Sequence, residues 1–317
     1  MLNQSYVRCA LFALWAACAG IAVAAPLAYV PNEGSGTVSV IDTETDQVVA
    51  EIAAGKKPRG LAVGADKRWL YVSDQPNNQL QLIDLIQRKL DGHVDLGESP
   101  EGVSISPDGR WVAAAVEESN EIVIIDTATN KLAFSIKVRG RNPEHAVFSP
   151  DGRTILVSAE EGEALDVIDF VARKQVAQIS VGARPRGIGF LPDGSRAYVA
   201  TENSNEVYVI DAKSFNILSR IKAGKRANGI AVHPDGSRVY VSNGGDASVS
   251  VIDTASNAIM ATVPAGQRPW NMALTPDGKK LYVANGRSNS VSVIDTVRNV
   301  KLRDVAVGKL PWGVVIK

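Results

Sequence analysis

Apolar and polar residues alternate along this chain in short runs, and the runs return on a fixed period. Between residues 270 and 307 the alternation predicts four strands, at 270–275, 280–285, 291–295 and near 300–307. Tyr, Val and Ile dominate them, as a pleated, half-buried surface prefers. Pro276-Asp277-Gly278 turns the chain between the first two strands, and a polar loop at 286–290 joins the next pair. The unit occurs seven times: its second strand opens at Tyr29, Tyr71, Ala113, Leu156, Tyr198, Tyr240 and Tyr282, and each copy ends its third strand 13 positions later on an Asp. The start-to-start spacing is 42, 42, 43, 42, 42 and 42 residues. Four short strands at that period mark a propeller blade, so the pattern predicts an all-β, seven-bladed β-propeller.

The turns punctuate the pattern. Pro107-Asp108-Gly109, Pro150-Asp151-Gly152, Pro192-Asp193-Gly194, Pro234-Asp235-Gly236 and Pro276-Asp277-Gly278 each supply a preset φ, an Asp that bonds its own backbone, and a Gly for positive φ. Ala65-Asp66-Lys67 takes the same place without Gly and predicts a looser turn. The Asp closing every third strand keeps one offset in all seven copies, which marks a turn former rather than a catalytic acid. Leu27-Ala28-Tyr29-Val30 reads as a second strand without a first, and Gly313-Val314-Val315-Ile316 as a first strand without a second. The tail is therefore expected to complete the N-terminal blade. Repeats near 27–68, 69–110, 111–153, 154–195, 196–237, 238–279 and 280–317 form one domain, 25–317.

Residues 1–24 read as a signal peptide: Arg8 gives the positive charge, 11–17 the apolar stretch, and Ala22-Val23-Ala24 a small-x-small cleavage signal. The stretch is shorter than the ~20 residues of a membrane span. Lipid attachment at Cys18 is the alternative, with Trp15-Ala16-Ala17 a poor lipobox before it. Both cysteines, Cys9 and Cys18, lie in this leader, and the expected mature chain has none. A periplasmic or secreted monomer follows, with no membrane span. Its 33 basic against 34 acidic residues give no global argument for nucleic acid or membrane binding.

Tyr240-Val241-Ser242-Asn243, Tyr282-Val283-Ala284-Asn285 and the Val-Ser-Val-Ile-Asp-Thr runs at 249–254 and 291–296 resemble the YVTN-type propeller repeat over the whole mature chain. The Pro-Arg-Gly and Pro-Glu-Gly repeats and the closing Pro311-Trp312-Gly313-Val314-Val315 are most similar to the periplasmic propellers associated with pyrroloquinoline-quinone (PQQ)-dependent alcohol catabolism. That resemblance implies an accessory protein whose partners are a quinoprotein dehydrogenase or transport components. It implies no catalytic residue.

In a tandem repeat, what breaks the period is a candidate for function. The loop from each fourth strand into the next first strand has the frame Gly-x-x-Pro-x-Gly, and by analogy with other propellers it opens at the central channel. The residue after the Pro position is aperiodic: Arg59, Glu101, Glu144, Arg186, Asn228, Trp270 and Trp312, with His145 and Asn271 beside two of them. These loops hold eleven basic residues against the acidic Glu98, Glu101 and Glu144. The loops between second and third strands, farther out on the same face, hold nine acidic residues against Arg287. A basic inner ring inside an acidic outer ring is expected, with the mouth suited to an anionic ligand. Trp270 and Trp312, from neighbouring blades, could give a planar ligand a flat wall; the competing reading is that they only cap the channel.

Absences narrow the chemistry. His93, His145 and His233 are the only histidines, with His233 in a turn on the opposite face and His93 placed between strands. No metal site, cofactor, nucleophile elbow or phosphate loop is expected. Glu117-Glu118 and Glu160-Glu161-Glu163 could hold calcium, but they lack the Gly and alternating Asp/Asn of a calcium loop, and a solvated acidic rim is the leading reading. The leading function is a non-enzymatic binding or scaffold module. A propeller enzyme of dehydrogenase or lyase type, using Glu144 with His145 as acid and base, is the alternative. A nucleic-acid binder stacking bases on Trp270 and Trp312 is a second one, against which the balanced charge counts.

Overall fold

The structure is a computed structural model that describes residues 25–317. The expected leader, its cleavage after Ala24 and the alternative at Cys18 lie outside the described residues. Seven four-stranded antiparallel sheets stand in a ring, six of them from consecutive strands and one closed by the tail. In that first blade Val315–Ile316 pairs with Leu27–Asn32, followed by Thr37–Asp42 and Gln47–Ala53. Tyr29 faces Val315 and Ala28 faces Ile316, so the expected closure is present. Blades 2 to 7 span residues 58–95, 100–137, 143–180, 185–222, 227–264 and 269–306. Sequence repeat and blade are out of phase by one strand, since each repeat gives its last strand to the next blade.

The alternation explains the packing. Second and third strands are buried on both faces, fourth strands on almost none. The apolar interior divides into seven clusters wedged between neighbouring blades; Val38, Val40 and Ile52 of blade 1 meet Leu61, Leu70 and Val72 of blade 2. Polar ties cross the same seams. Tyr71 donates its hydroxyl to Asn130, and Tyr198 to Asn257, both at 2.7 Å. At the closing seam Tyr282 and Lys280 both reach Asp46 of blade 1.

The closing Asp residues do act in turns: Asp42 accepts from the backbone N–H groups of Glu44 and Thr45, each at 2.9 Å. The turn at Ala65-Asp66-Lys67 is not looser than the others. Lys67 N–H bonds Gly64 O at 2.9 Å and Arg68 N–H bonds Asp66 at 2.9 Å, the pattern of the glycine turns, with Lys67 taking the left-handed φ of 57°. His93 is also re-placed: it sits within the outer strand Lys89–Asp95, not between strands.

Candidate functional site

The first strands line the channel, and their pairing explains why the Pro-x-Gly frame builds a site. In six blades the ladder between first and second strands skips after its first residue, as between Pro58 and Leu61 or Pro100 and Val103. In five of these blades the skipped residues are the one after the Pro position and its neighbour, while in blade 4 only Glu144 is skipped and His145 pairs with Ser158. Of the residues after the Pro position, Arg59, Glu144, Arg186, Asn228 and Trp270 then line the channel mouth. The freed backbone N–H is taken up by a second-strand serine: Gly60 bonds Ser73 at 2.9 Å, Gly229 bonds Ser242 at 2.8 Å and His145 bonds Ser158 at 3.1 Å. Glycine is needed because neighbouring first strands nearly touch there. A Cβ on Gly60 would stand 2.2 Å from the Glu101 carbonyl oxygen, and one on Gly229 2.5 Å from that of Trp270. His145 and Asn271 occupy this glycine position in blades 4 and 7.

A cavity of about 290 Å³ opens at the mouth. Arg59, Glu144, Arg186, Asn228, Trp270, Asn271 and Trp312 line it as the repeat alignment places them. Glu101 and His145 do not. Glu101 is fully buried behind the wall, its Oε1 bonded to Arg59 and to Gln75 Nε2. His145 lies beneath Trp312, the two rings stacked at 5.5 Å and 17°. Blades 1 and 4 stand on opposite sides of the ring, so this stack crosses the channel. It replaces the expected wall of Trp270 with Trp312: one face of Trp312 is already covered. Trp270 instead lies over Gly286, where a Cβ would be 2.7 Å from the indole.

The electrostatic expectation fails in an instructive way. The mouth is not a basic ring within an acidic one, because carboxylates of the outer loops reach inward and pair with the arginines. Arg186 contacts Glu144 at 2.6 Å, Glu160 at 2.8 Å and Glu202 at 3.0 Å. Arg268 bonds Glu202 at 2.6 Å, Arg59 bonds Glu33 and Glu101, and Arg184 bonds Glu160. Among the other loop cations Lys56, Lys57, Arg139, Arg141 and Lys225 are exposed. Nor are Glu117 and Glu160 a solvated rim: both line the cavity, while Glu118, Glu161 and Glu163 stay in water.

The site's titration follows from this crowding. Burial pushes the Glu144 carboxyl up, but Arg186 and His145 outweigh it and hold it at about 2. Burial, opposed by Arg186 and reinforced by Glu144, raises Glu160 to about 7. Burial and the Glu144 charge also raise Glu101, and burial above all raises Glu117. His145 is lowered, burial outweighing the attraction of Glu144. Glu144 therefore spends its charge on Arg186, and His145 Nδ1 is buried with no hydrogen-bond partner. The pair is not arranged as an acid and its base.

Glu33, Gln75, Glu117, Glu160 and Glu202 were missed as site residues, yet they form a second aligned column, completed by Gly244 and Gly286. A family profile for the YNCE-like beta-propeller matches residues 5–317. The chain belongs to the YNCE-like β-propeller family. Comparison with curated proteins gives no match. Among solved structures, this YNCE-like propeller is similar to hydrazine synthase of Kuenenia stuttgartiensis, with 23% identity, a TM-score of 0.79, and coverage of 90% of this chain and 99% of that one. A functionally unknown protein of Desulfotomaculum acetoxidans gives 19% identity and 0.81, covering 92% and 98%. A Bacteroides uniformis protein provisionally assigned as a 6-phosphogluconolactonase gives 21% and 0.78, covering 92% and 99%. At these identities the likeness is one of fold.

Proposed function

We propose that this YNCE-like propeller is a non-enzymatic binding or scaffold module of the periplasm, accessory to PQQ-dependent alcohol oxidation or an associated transport system, and that the channel mouth is its binding site. The cavity carries the reading: it is walled by the residues that break the repeat, and it combines an open indole at Trp270, the amides of Asn228 and Asn271, and exchangeable Arg–Glu pairs. Such a wall suits a small polar ligand or a charged loop of a partner. A simple anion would have to displace carboxylates that already hold the guanidinium groups. The same pairing counts against nucleic acid, and the commitment of Glu144 to Arg186 counts against acid–base catalysis.

The test is a thermal-shift and tryptophan-fluorescence screen of the protein against PQQ, carboxylic acids, amines, amino acids and oligonucleotides. A ligand of the native state raises the midpoint by mass action. Trp270→Ala should weaken that ligand roughly 10-fold or more, as a buried aromatic anchor does. A ligand that binds Trp270→Ala as tightly as the parent would place binding elsewhere and overturn this site.

A further inference from the structure

We propose that the ligand of the mouth is an uncharged, polyhydroxylated ring, a sugar or cyclic polyol, seated on Trp270 and hydrogen-bonded by Asn228 and Asn271. The inference deepens the binding-module reading and rests on it. Asn228 carries it. That residue is only 5% exposed, it lines the cavity, and its side-chain amide makes no hydrogen bond with any other described residue. The ladder of blade 6 skips from Ala227 to Ile230, which frees Asn228 from the sheet. Its two donors and one acceptor are therefore left for whatever fills the cavity. Asn271, on the neighbouring blade, holds the Trp312 carbonyl oxygen only loosely, at 3.5 Å. Trp270 rests on Gly286 and borders the same cavity, so two amides and an indole meet there.

The paired charges decide between ligand classes. Arg186 already holds three carboxylates, and Arg268 holds Glu202. A carboxylate ligand has to break these pairs, and an ammonium ligand has to compete with guanidinium groups for the same oxygens. A hydroxyl does neither, because it both donates and accepts. Two adjacent hydroxyls bond the edge of an Arg–Glu pair, one donating to the carboxylate and one accepting from the guanidinium, and the pair stays closed. The C–H face of a sugar or cyclic polyol then gives Trp270 the apolar surface that an indole covers best. The size agrees. A cavity of about 290 Å³ lies at the lower end of small-molecule pockets, roughly 300–1,000 Å³, and suits one ring rather than a chain of them. A polyol is itself an alcohol, which fits an accessory of alcohol oxidation.

The experiment titrates the protein with glucose, xylose and myo-inositol, and with gluconate and glucosamine as anionic and cationic counterparts, following the melting midpoint and tryptophan fluorescence. At least one neutral compound is expected to bind at about 1 mM or tighter, within reach of a ligand of about a dozen non-hydrogen atoms. Its affinity should change by less than about twofold between about 50 and 500 mM NaCl, since no charge is exchanged. Asn228→Ala, which breaks no side-chain bond to a described residue, should leave the ligand-free midpoint in place and weaken binding roughly 3–10-fold. Trp270→Ala should weaken it about 10-fold or more. Gluconate or glucosamine binding in place of the neutral compounds, and failing in Trp270→Ala, overturns the polyol while the mouth stands as a binding site. A polyol held equally well by both variants binds elsewhere, which also overturns the proposal. No response to any of the five compounds overturns it too, and leaves the mouth to a charged loop of a partner.

Discussion

At the turn face of the propeller, Asp42 accepts from two backbone N–H groups of its own turn, and Asp295 does the same from Val297 and Arg298. At the channel mouth, Glu144 is buried against a guanidinium, and Glu160 against that guanidinium and a second carboxylate. Both ends are rich in acids, yet the turn-face carboxyls of Asp42, Asp108, Asp253 and Asp295 are all held below their usual range, chiefly by short-range hydrogen bonds. At the mouth Glu101, Glu117 and Glu160 are pushed up while Glu144 and Glu202 are held down. A repeated turn brings its donors with it, so each Asp is satisfied within a few residues. The mouth has no such turn-local supply: its acids take partners many residues away, Glu144 and Glu160 from the next blade and Glu202 from its own blade and blade 7. Side chains can vary there because the fold does not dictate their partners.

The largest expected effect tests that dependence. Arg186→Met removes the one cation shared by Glu144, Glu160 and Glu202, and leaves Glu144, 4% exposed, without a counter-charge. Breaking one side of such a pair costs about 3–5 kcal/mol. Chemical denaturation should show that loss, and Arg186→Met with Glu144→Gln should recover much of it. A loss below about 1 kcal/mol would mean that the network is loose and behaves as a surface cluster.

The contrast between the two ends also explains what the sequence could disclose. The fold was legible because its determinants are local and repeated: alternation, Pro-Asp-Gly turns and the Ile-Asp ends recur every 42 residues or so. Half of the site was legible for the opposite reason, as Arg59, Glu144, Arg186, Asn228, Trp270 and Trp312 break the repeat at one position. The other half was hidden by counting charges loop by loop. Glu33, Glu117, Glu160 and Glu202 sit at strand ends from which a Glu side chain spans the gap to the inner ring, and loop membership does not record reach. The readable signal was the aligned column itself. It is Glu or Gln in five blades and Gly in two, and at Gly244 and Gly286 the room is filled by Arg268 and Trp270. The stack of Trp312 on His145 had no signal in either column, because it joins blades on opposite sides of the ring.

A middling effect is expected where the turn face borrows the habit of the mouth. Asp46, 6% exposed, takes Lys280 Nζ at 2.8 Å and the Tyr282 hydroxyl across the closing seam. Asn130 and Asn257 meet Tyr71 and Tyr198 in the corresponding places without a charge. Asp46→Ala should cost about 1–3 kcal/mol, the range for leaving buried partners unsatisfied. Asp46→Asn should keep the tyrosine bond and recover part of it. Since this seam joins the first and last blades, hydrogen exchange should quicken in Leu27–Asn32 and Lys280–Asn285 before other strands. Uniform quickening around the ring would mean that the closure is no weaker than the other seams.

The smallest effect, and the one that separates the two faces most directly, is the dependence of stability on pH. The turn-face carboxyls lie below their unfolded values, so their contribution is present above about pH 4 and is lost as pH falls through the folded values. Glu144 and Glu202 act in the same direction. Glu101, Glu117 and Glu160 run the other way. Glu160, partly buried and faced by Arg184, Arg186 and Glu144, has its carboxyl raised to about 7. Its contribution is complete below about pH 4 and disappears as pH rises through 7. Melting temperatures should therefore show an acid limb from the turn face and a shallow decline between about pH 5 and 8 from the mouth, of a few degrees at most for a chain of this size. Glu160→Gln should make the neutral decline shallower, Glu101 and Glu117 keeping their share of it, and leave the acid limb where it is. If the variant instead moved the acid limb and kept the decline, Glu160 would be behaving as the turn-face acids do, and crowding at the mouth would not be what sets it apart.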